Sequence, residues 1–351
     1  MGNNKRYAFI CAYNGSNYHG CQLNNSVKTI EGTLLEVLFD LGYLSLPISI
    51  PNDENIEEQK EINDEPSEEI SLDEDNPIIK SVTDEENVFK KYRPSRIGLQ
   101  RSSRTDKGVH SSFNTFIVKS STNLVLKKDE IQDKLPSDIF IYKVMRVTKG
   151  FHAHRRCESR IYHYYVKKTF FNYKRNEVNI KEPLSKAIKY YLGCNDYFNF
   201  TSYKNKKDTK RFIRRIELIE ENDYYMIEIE GNSFLYNQIR MMVGYLIQII
   251  RDALLISDKE EEIIKYLENN FKKCFTEKMN ILKVPGEYLL LYYQLFKNYN
   301  EVHSSLHGKI EVEINLLNEV TDKLIKSKMF TKENEDLFLS VIDKFDESLN
   351  K

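Results

Sequence analysis

The sequence predicts an α+β protein with a mixed or antiparallel sheet. Aromatic and β-branched runs typical of strands recur along the chain together with amphipathic helices, without the strict β-α-β order of a doubly wound sheet. With 351 residues, of which 40% are hydrophobic and 12% aromatic, the chain has enough apolar material for one large core or two ordinary ones. Wholesale disorder is therefore excluded.

The N-terminal part predicts a strand, a helix and a second strand. Residues Arg6–Tyr13 are an aromatic and β-branched run that ends at Asn14-Gly15, which predicts a strand leading into a turn. Apolar residues from Ile30 to Leu41 recur at helical spacing and stop at Gly42, so this segment predicts an amphipathic helix. Residues Gly98–Val118 predict a polar loop followed by a strand.

The C-terminal part predicts three strands and a buried helix. Tyr162–Lys168 is a strand candidate, and Phe212–Ile219 with Tyr224–Glu230 reads as a hairpin. A continuous apolar stripe predicts a buried helix over Phe234–Ile250, and Leu289–Phe296 predicts an apolar strand.

The net charge of −1 conceals an uneven distribution. Between Pro51 and Lys90 there are 15 acidic residues and three lysines, a local net charge of −12; the rest of the chain has 49 basic and 38 acidic residues, a net charge of +11. The acidic segment is too poor in apolar residues to order itself, which predicts a disordered insertion. A cationic body favours polyanionic partners, nucleic acid first, although lysines that merely maintain solubility fit the charge equally well.

These observations divide the chain into four parts. They are a folded body in two halves, 1–45 with 91–150 and 151–300; the acidic insertion 46–90; and a helical extension 301–351, where Ile310–Leu349 predicts one or two peripheral helices.

The five widely spaced cysteines include no Cys-x-x-Cys pair, so we expect neither a disulfide framework nor a zinc ribbon. The first residues lack the apolar run of a signal peptide, and no stretch is apolar enough to span a membrane. We expect an intracellular protein and leave nucleus, cytoplasm or organelle open. Phosphate-binding loops and dinucleotide motifs are absent, and His152 and His154 lack a third ligand, so no cofactor or metal is implied.

The densest polar cluster is residues 101–110, which contain Asp106 followed by Lys107 and Gly108. Asp-Lys-Gly is ordinary turn chemistry, but two arginines and a lysine beside one carboxylate would hold it ionised, as a nucleophile or base requires. Arg240 is a second anomaly, because a guanidinium on an apolar helix needs a carboxylate partner unless it lies on the exposed edge.

Two segments combine features of a nucleic-acid surface. Residues 151–164 interleave rings with cations, which suits stacking on bases and contacts to phosphates, although Tyr162 and Tyr164 also fit core-facing strand positions. Residues 203–215 hold seven basic residues, either a phosphate-binding rail or a solvated face.

The order of motifs resembles the tRNA pseudouridine synthases of the TruA superfamily, and within it the eukaryotic multisite branch. Seven motif groups in family order span residues 6–300 approximately. They are 13–15 with 18–22, 28–31, 104–110, 157–162, 195–201, 234–240 with Gly244, and 284–289.

The resemblance implies a pseudouridine-synthase fold, in which two α/β halves share a mixed, largely antiparallel sheet with a central basic cleft. It also implies that Asp106 is the catalytic aspartate, that Tyr162 stacks on the target uracil, and that Arg240 pairs with Asp106. The candidate substrate-binding residues are Arg104, Thr105, Lys107, His110, Arg155, Arg156, Arg160, Phe234, Leu235 and Gln238.

The expected partner is tRNA, with other structured RNA as a further substrate class, and the expected state is a monomer. The resemblance implies modification in the anticodon stem, at tRNA positions 27 and 28, without a cofactor. Two alternatives stay open: a synthase of the same superfamily acting on positions 38–40, and a non-catalytic factor that binds or folds tRNA. The sequence also leaves open whether Asp106 attacks the sugar, adds to the base or abstracts a proton.

Overall fold

The computed structural model describes residues 4–24, 26–44, 94–175, 178–203 and 208–349. The acidic insertion predicted at 46–90 lies outside the described residues, as do Lys204–Lys207 of the basic run.

In the described residues, nine strands form one mixed sheet in the order β4-β1-β3-β9-β5-β8-β7-β6, with β2 added to β3. Every strand pair is antiparallel except β3 with β9, which run parallel at His110 and Leu290 and join the two halves of the chain. The predicted α+β class with a mixed, largely antiparallel sheet is confirmed. The strands are β1 (Lys5–Tyr13), β2 (Gln100–Arg101), β3 (His110–Ser120), β4 (Ile139–Val147), β5 (Ser159–Lys167), β6 (Gly193–Asp196), β7 (Lys210–Glu221), β8 (Tyr224–Gly231) and β9 (Leu289–Leu295).

Helices cover the sheet, and no described helix is long and apolar enough to cross a membrane. The α-helices are α1 (Ile30–Asp40), α2 (Pro94–Ile97), α3 (Lys128–Lys134), α4 (Ala153–Arg156), α5 (Lys168–Phe171), α6 (Lys181–Ala187), α7 (Gln238–Leu254), α8 (Glu260–Asn270), α9 (Lys297–His307), α10 (Ile314–Thr321), α11 (Ser327–Met329) and α12 (Lys332–Leu349). A π-helical turn, Asp322–Lys326, joins α10 to α11, and short 3₁₀ turns span Leu124–Lys127, Ile188–Tyr191, Phe271–Phe275 and Gly286–Tyr288.

Helix α1 is held to the N-terminal half of the sheet by a buried ion pair. Thr29 caps the helix by accepting a hydrogen bond from the Gly32 amide at 3.1 Å. Glu31 has a fully buried carboxylate that accepts hydrogen bonds from the Arg101 guanidinium, one of them at 2.9 Å, and from the Leu23 amide at 2.8 Å. A buried carboxylate is tolerable only with such partners, so the pair fixes α1 against β2.

Helix α7 begins later than the periodicity predicts. The apolar stripe predicted a helix from Phe234, but the helix starts at Gln238 because Asn237 adopts a left-handed backbone with φ of 61°. Phe234 and Leu235 therefore lie in the turn that precedes the helix, and the predicted start is wrong by four residues. The consequence is that these side chains are presented by a turn at the end of β8.

The C-terminal extension is helical as predicted but is not peripheral. Leu317, Ile325, Phe338 and Ile342 are completely buried. The ring of Phe338 stacks on Phe170 with centroids 4.3 Å apart, so the extension completes the core of the C-terminal half.

Candidate active site

Asp106 lies in the loop between β2 and β3, where the parallel contact with β9 joins the two halves. The predicted turn is present, since the Val109 amide donates to the Asp106 carbonyl at 3.1 Å and Gly108 has φ of 76°. The loop presses on the segment before β9: a Cβ on Gly286 would lie 2.8 Å from the Lys107 carbonyl oxygen. Asp106 itself is partly exposed.

A buried polar network supports this loop from below. The hydroxyls of Tyr13 and Thr105 are 2.8 Å apart, and the Asn114 amide nitrogen donates to the Tyr13 hydroxyl at 3.1 Å and to the Ser103 carbonyl at 3.0 Å. Gln294 on β9 donates to the Ser103 hydroxyl at 2.7 Å. Buried groups that are satisfied in this way hold one geometry, so the network fixes the residues that lead to Asp106.

Arg160 belongs to the same support. The residue is 5% exposed. The guanidinium donates to the Ser103 hydroxyl at 2.9 Å, to the Ser102 carbonyl at 2.8 Å and to the Asn232 carbonyl at 2.6 Å. It also donates to the carbonyls of residues 154 and 157. All three guanidinium nitrogens are thus engaged inside the protein, and contact of Arg160 with substrate stays a prediction.

His110 is likewise buried and internally bonded. Its Nδ1 accepts from the Gly15 amide at 3.0 Å, so its proton is on Nε2, which donates to the Glu287 carbonyl at 2.9 Å. Burial lowers the pKa of His110 to about 4, and the ring is neutral near pH 7. Both ring nitrogens are bonded to backbone groups of neighbouring loops, and contact of His110 with substrate stays a prediction.

Tyr162 lies beside Asp106 on the face of β5 that carries α7. Its side chain is 7% exposed, and burial raises the pKa of its hydroxyl, with the nearby Asp106 carboxylate acting in the same direction. The ring of Phe234 meets Tyr162 edge to face, with centroids 5.2 Å apart. Phe234 can sit there because residue 231 is glycine: a Cβ would lie 2.8 Å from its ring.

Arg240 projects from the first turn of α7 toward the same region. Its Nε donates to the Val284 carbonyl at 2.7 Å and its Nη1 to the Asn237 side-chain oxygen at 3.0 Å. Its positive charge partly offsets the burial that raises the pKa of Tyr164, which places the guanidinium near that hydroxyl. Arg240 is thus partly buried rather than on the exposed edge of the helix, and it borders the segment that contacts the Asp106 loop.

The other candidate residues fall into two groups. Arg104, Lys107, Arg155 and Arg156 are exposed cations and Phe234 is partly exposed, so these five are open to a ligand. Thr105, Leu235 and Gln238 are buried. The Gln238 side-chain oxygen accepts from the Leu235 amide at 2.8 Å. The members of this second group shape the loop and the start of α7, and their contact with substrate stays a prediction.

The described part of the basic run contains ion pairs along the sheet. Arg215 pairs with Glu228 at 2.5 Å and with Glu217 at 3.3 Å. Arg214 keeps a side chain that is 53% exposed while approaching Glu230 at 3.4 Å. For Arg215 the structure therefore favours the solvated, paired face over the phosphate-binding rail.

The support network was missed at the sequence level. Tyr13, Asn114 and Gln294 were not candidate functional residues, yet they hold the Asp106 loop. A signal was present for Gln294, which interrupts an otherwise apolar strand, whereas Asn114 falls at an ordinary polar position of its strand. Buried polar residues of this kind need partners, and here the partners lie in the loop.

Comparison with known proteins decides the family. Residues 187–293 match the family model described as tRNA pseudouridine synthase. The tRNA pseudouridine synthase A of Phytoplasma mali is 35% identical over 185 residues, which cover 49% of this chain and 75% of that protein. The chain belongs to the tRNA pseudouridine synthase family. A Bacillus cereus tRNA pseudouridine synthase A 1 is also 35% identical, over 47% of this chain and 71% of its own.

The similarity of this tRNA pseudouridine synthase extends beyond the bacterial proteins. The human Pseudouridylate synthase 1 homolog is 27% identical over 315 residues, covering 83% of this chain and 60% of its own. The eukaryotic branch is thus represented among its relatives. The predicted family and the predicted enzyme class are confirmed. A solved structure titled "Crystal Structure of a Cbf5-Nop10-Gar1 Complex" overlaps 45% of this chain and 39% of its own, with a TM-score of 0.26 and 10% identity.

Proposed function

We propose that this synthase converts uridine to pseudouridine in tRNA with Asp106 as its catalytic carboxylate, Tyr162 as the ring that stacks on the target uracil, and Arg240 as the partner of Asp106. One observation supports this most: Asp106 is a partly exposed residue on a loop that a buried network holds, close enough to Tyr162 for its charge to raise the pKa of that hydroxyl. The pairing with Arg240 is supported by the bond from Arg240 to the Val284 carbonyl, because Gly286, two residues further, packs against the Lys107 carbonyl.

The reaction is an isomerisation whose atoms balance without a cofactor. The N1–C1′ bond breaks, the detached base rotates, a C5–C1′ bond forms, and the proton on C5 leaves while N1 gains one. An ionised Asp106 serves any of the three open roles, attack on the sugar, addition to the base or proton abstraction. Extrusion of the uridine from its stack costs a few kcal/mol, which stacking and phosphate contacts offset. Arg104, Lys107, Arg155 and Arg156 are the exposed cations for those contacts.

For the target we propose the anticodon stem, positions 27 and 28, because the motifs resemble the eukaryotic multisite branch. Modification of positions 38–40 is the second candidate. Mapping pseudouridines in unmodified tRNA transcripts treated with the pure protein distinguishes them. We propose that the enzyme acts as a monomer, which light scattering on the purified chain tests.

The catalytic assignment is tested with Asp106→Ala and the exposed control Asp133→Ala. We expect Asp106→Ala to bind tRNA within about twofold of wild type and to release no tritium from [5-³H]uridine-labelled tRNA above background. Asp133→Ala should retain full turnover. Turnover by Asp106→Ala refutes the assignment. A wild-type protein that binds tRNA but forms no pseudouridine supports the non-catalytic tRNA-binding alternative.

A further inference from the structure

A short turn beside the candidate site, residues 232–237 between β8 and α7, is fixed at three points; we call it the rim segment. The Asn232 carbonyl accepts a hydrogen bond from Arg160 at 2.6 Å, and the Leu235 amide donates to the side-chain oxygen of Gln238, the first residue of α7, at 2.8 Å. The Asn237 amide nitrogen donates to the Ser202 hydroxyl at 2.8 Å, which ties a second loop to the segment. The rim segment therefore presents its side chains in one geometry.

Two rings of the rim segment each meet a tyrosine. Phe234 packs on the buried Tyr162, whereas Tyr236 packs on Tyr203 with ring centroids 5.0 Å apart and planes at 38°. Unlike Tyr162, both Tyr236 and Tyr203 are partly exposed. The bond between Asn237 and Ser202 holds their two loops together.

The two ring pairs are joined by a very short stretch of backbone. Phe234 and Tyr236 are two residues apart, so their Cα atoms lie at most about 7 Å from one another. Bases that follow one another in a stacked strand are about 3.4 Å apart, and an extruded nucleotide separates its neighbours further. Tyr236 is therefore carried by the same short turn as the ring that packs on Tyr162, and the base next to the target uridine is the one it would meet.

We propose that Tyr236, supported by Tyr203, is a second stacking site that receives the nucleobase next to the target uridine. This inference rests on the proposed function, because it takes the uracil to lie at Tyr162. Extruding the uridine removes a stacking partner from its neighbour, and an aromatic ring can replace that partner. Arg214, whose Nη2 donates to the Asn232 side-chain oxygen at 3.2 Å, adds an exposed positive charge for a phosphate at the start of the segment.

The chain contains no tryptophan, so Tyr236→Trp creates a single fluorescent reporter at the proposed site. The matched control is Tyr190→Trp, because Tyr190 is also partly exposed and pairs with a ring, Phe271, at 5.0 Å. Tyr190 lies in the 3₁₀ turn after α6 and Phe271 in the 3₁₀ turn after α8, so this ring pair is outside the rim segment. With an unmodified tRNA transcript as the probe, we expect saturable quenching by about half in Tyr236→Trp, since an indole stacked on a base loses its emission. Tyr190→Trp should show little change. Absence of quenching, or equal quenching in both variants, overturns the proposal.

Kinetics separate stacking by the ring from bonding by the hydroxyl. Tyr236→Leu should raise KM for tRNA about tenfold with kcat changed less than about twofold, while Tyr236→Phe and Tyr190→Leu stay near wild type. A Tyr236→Phe variant as impaired as Tyr236→Leu, or a Tyr236→Leu variant with an unchanged KM, contradicts the inference. The quenching is also measured in an Asp106→Ala background, where no turnover is needed. If the double variant shows quenching but still turns over, the catalytic assignment of Asp106 is refuted and the stacking site is retained. If turnover is lost and no quenching occurs, the stacking site is refuted and the catalytic assignment is retained.

Discussion

The Asn14 side chain donates a hydrogen bond from Nδ2 to the backbone carbonyl of Leu324, 3.2 Å away. Leu324 lies in the π-helical turn between α10 and α11, where the i→i+5 pattern changes which carbonyls are engaged within the helix. Asn14 precedes Gly15, whose amide binds His110 at the end of the Asp106 loop. The C-terminal extension thus braces the loop that carries the proposed catalytic carboxylate.

The variant Asn14→Asp isolates this brace. The side-chain Oδ1 that accepts from the Ser16 amide at 3.0 Å is retained, but the donor to Leu324 is replaced by an oxygen. We expect unfolding free energy to fall by about 3 kcal/mol or more, because the new carboxylate is buried and one of its oxygens faces the Leu324 carbonyl without a donor. We expect kcat to fall by about threefold to tenfold with KM for tRNA unchanged, because loop position rather than RNA contact is altered. Single-turnover tritium release and urea denaturation measure the two effects.

The control for Asn14→Asp is Asn318→Ala, which removes a different bond between the extension and the body, from the Tyr292 hydroxyl at 2.7 Å. That bond is exposed and away from the Asp106 loop, so kcat should not change. An equal loss of kcat in both variants would mean that the extension acts only through general stability.

Arg160→Lys tests a residue whose role is structural. A lysine has one nitrogen in place of three, so several of the carbonyls and the hydroxyl that Arg160 satisfies would be left buried without donors. We expect a loss of about 3 kcal/mol or more in unfolding free energy, read from the urea midpoint. A variant of wild-type stability with weaker tRNA binding would support contact of Arg160 with substrate.

The comparison of Arg160 with its exposed neighbours shows where prediction from sequence stops. The interleaved aromatic and basic residues of segment 151–164 predicted a nucleic-acid surface. Which of its arginines is buried is decided only by the packing of β5 against β8. Asn237, whose left-handed backbone moves the start of α7 to Gln238, is held by hydrogen bonds to Ser202 and Arg240. The apolar periodicity of the sequence does not predict these bonds. Strands, the hairpin and the Asp106 turn were predictable because their determinants are local.

The stacking of Phe338 on Phe170 shows the same limit of sequence-based prediction for the C-terminal extension. Amphipathic spacing predicted the helices correctly, whereas their burial depends on a contact between residues 168 positions apart. Periodicity identifies an apolar face and does not identify the surface that covers it.

Arg155→Ala tests the exposed cations. Arg155 lies in α4 with its side chain in solvent, so its loss should leave unfolding free energy within about 0.5 kcal/mol of wild type. If it contacts a phosphate, the tRNA dissociation constant should rise and the slope of log affinity against log salt should become shallower by about 1. Filter binding at several salt concentrations measures the slope, and an unchanged slope removes Arg155 from the phosphate contacts.

The buried His110 predicts a defined dependence of stability on pH. Its pKa is lowered to about 4 in the folded protein, against an ordinary value near 6.5 in the unfolded chain, so between these values the unfolded state binds more protons. Stability is therefore complete above about pH 6.5 and falls as pH decreases toward 4, by about 3 kcal/mol in total. His110→Gln removes this titration, and all other titratable groups are the same in wild type and variant. The difference in unfolding free energy between wild type and variant, measured by urea denaturation from pH 7 to 4.5, should shrink as pH falls; a constant difference would show that the ring is protonated in the folded state.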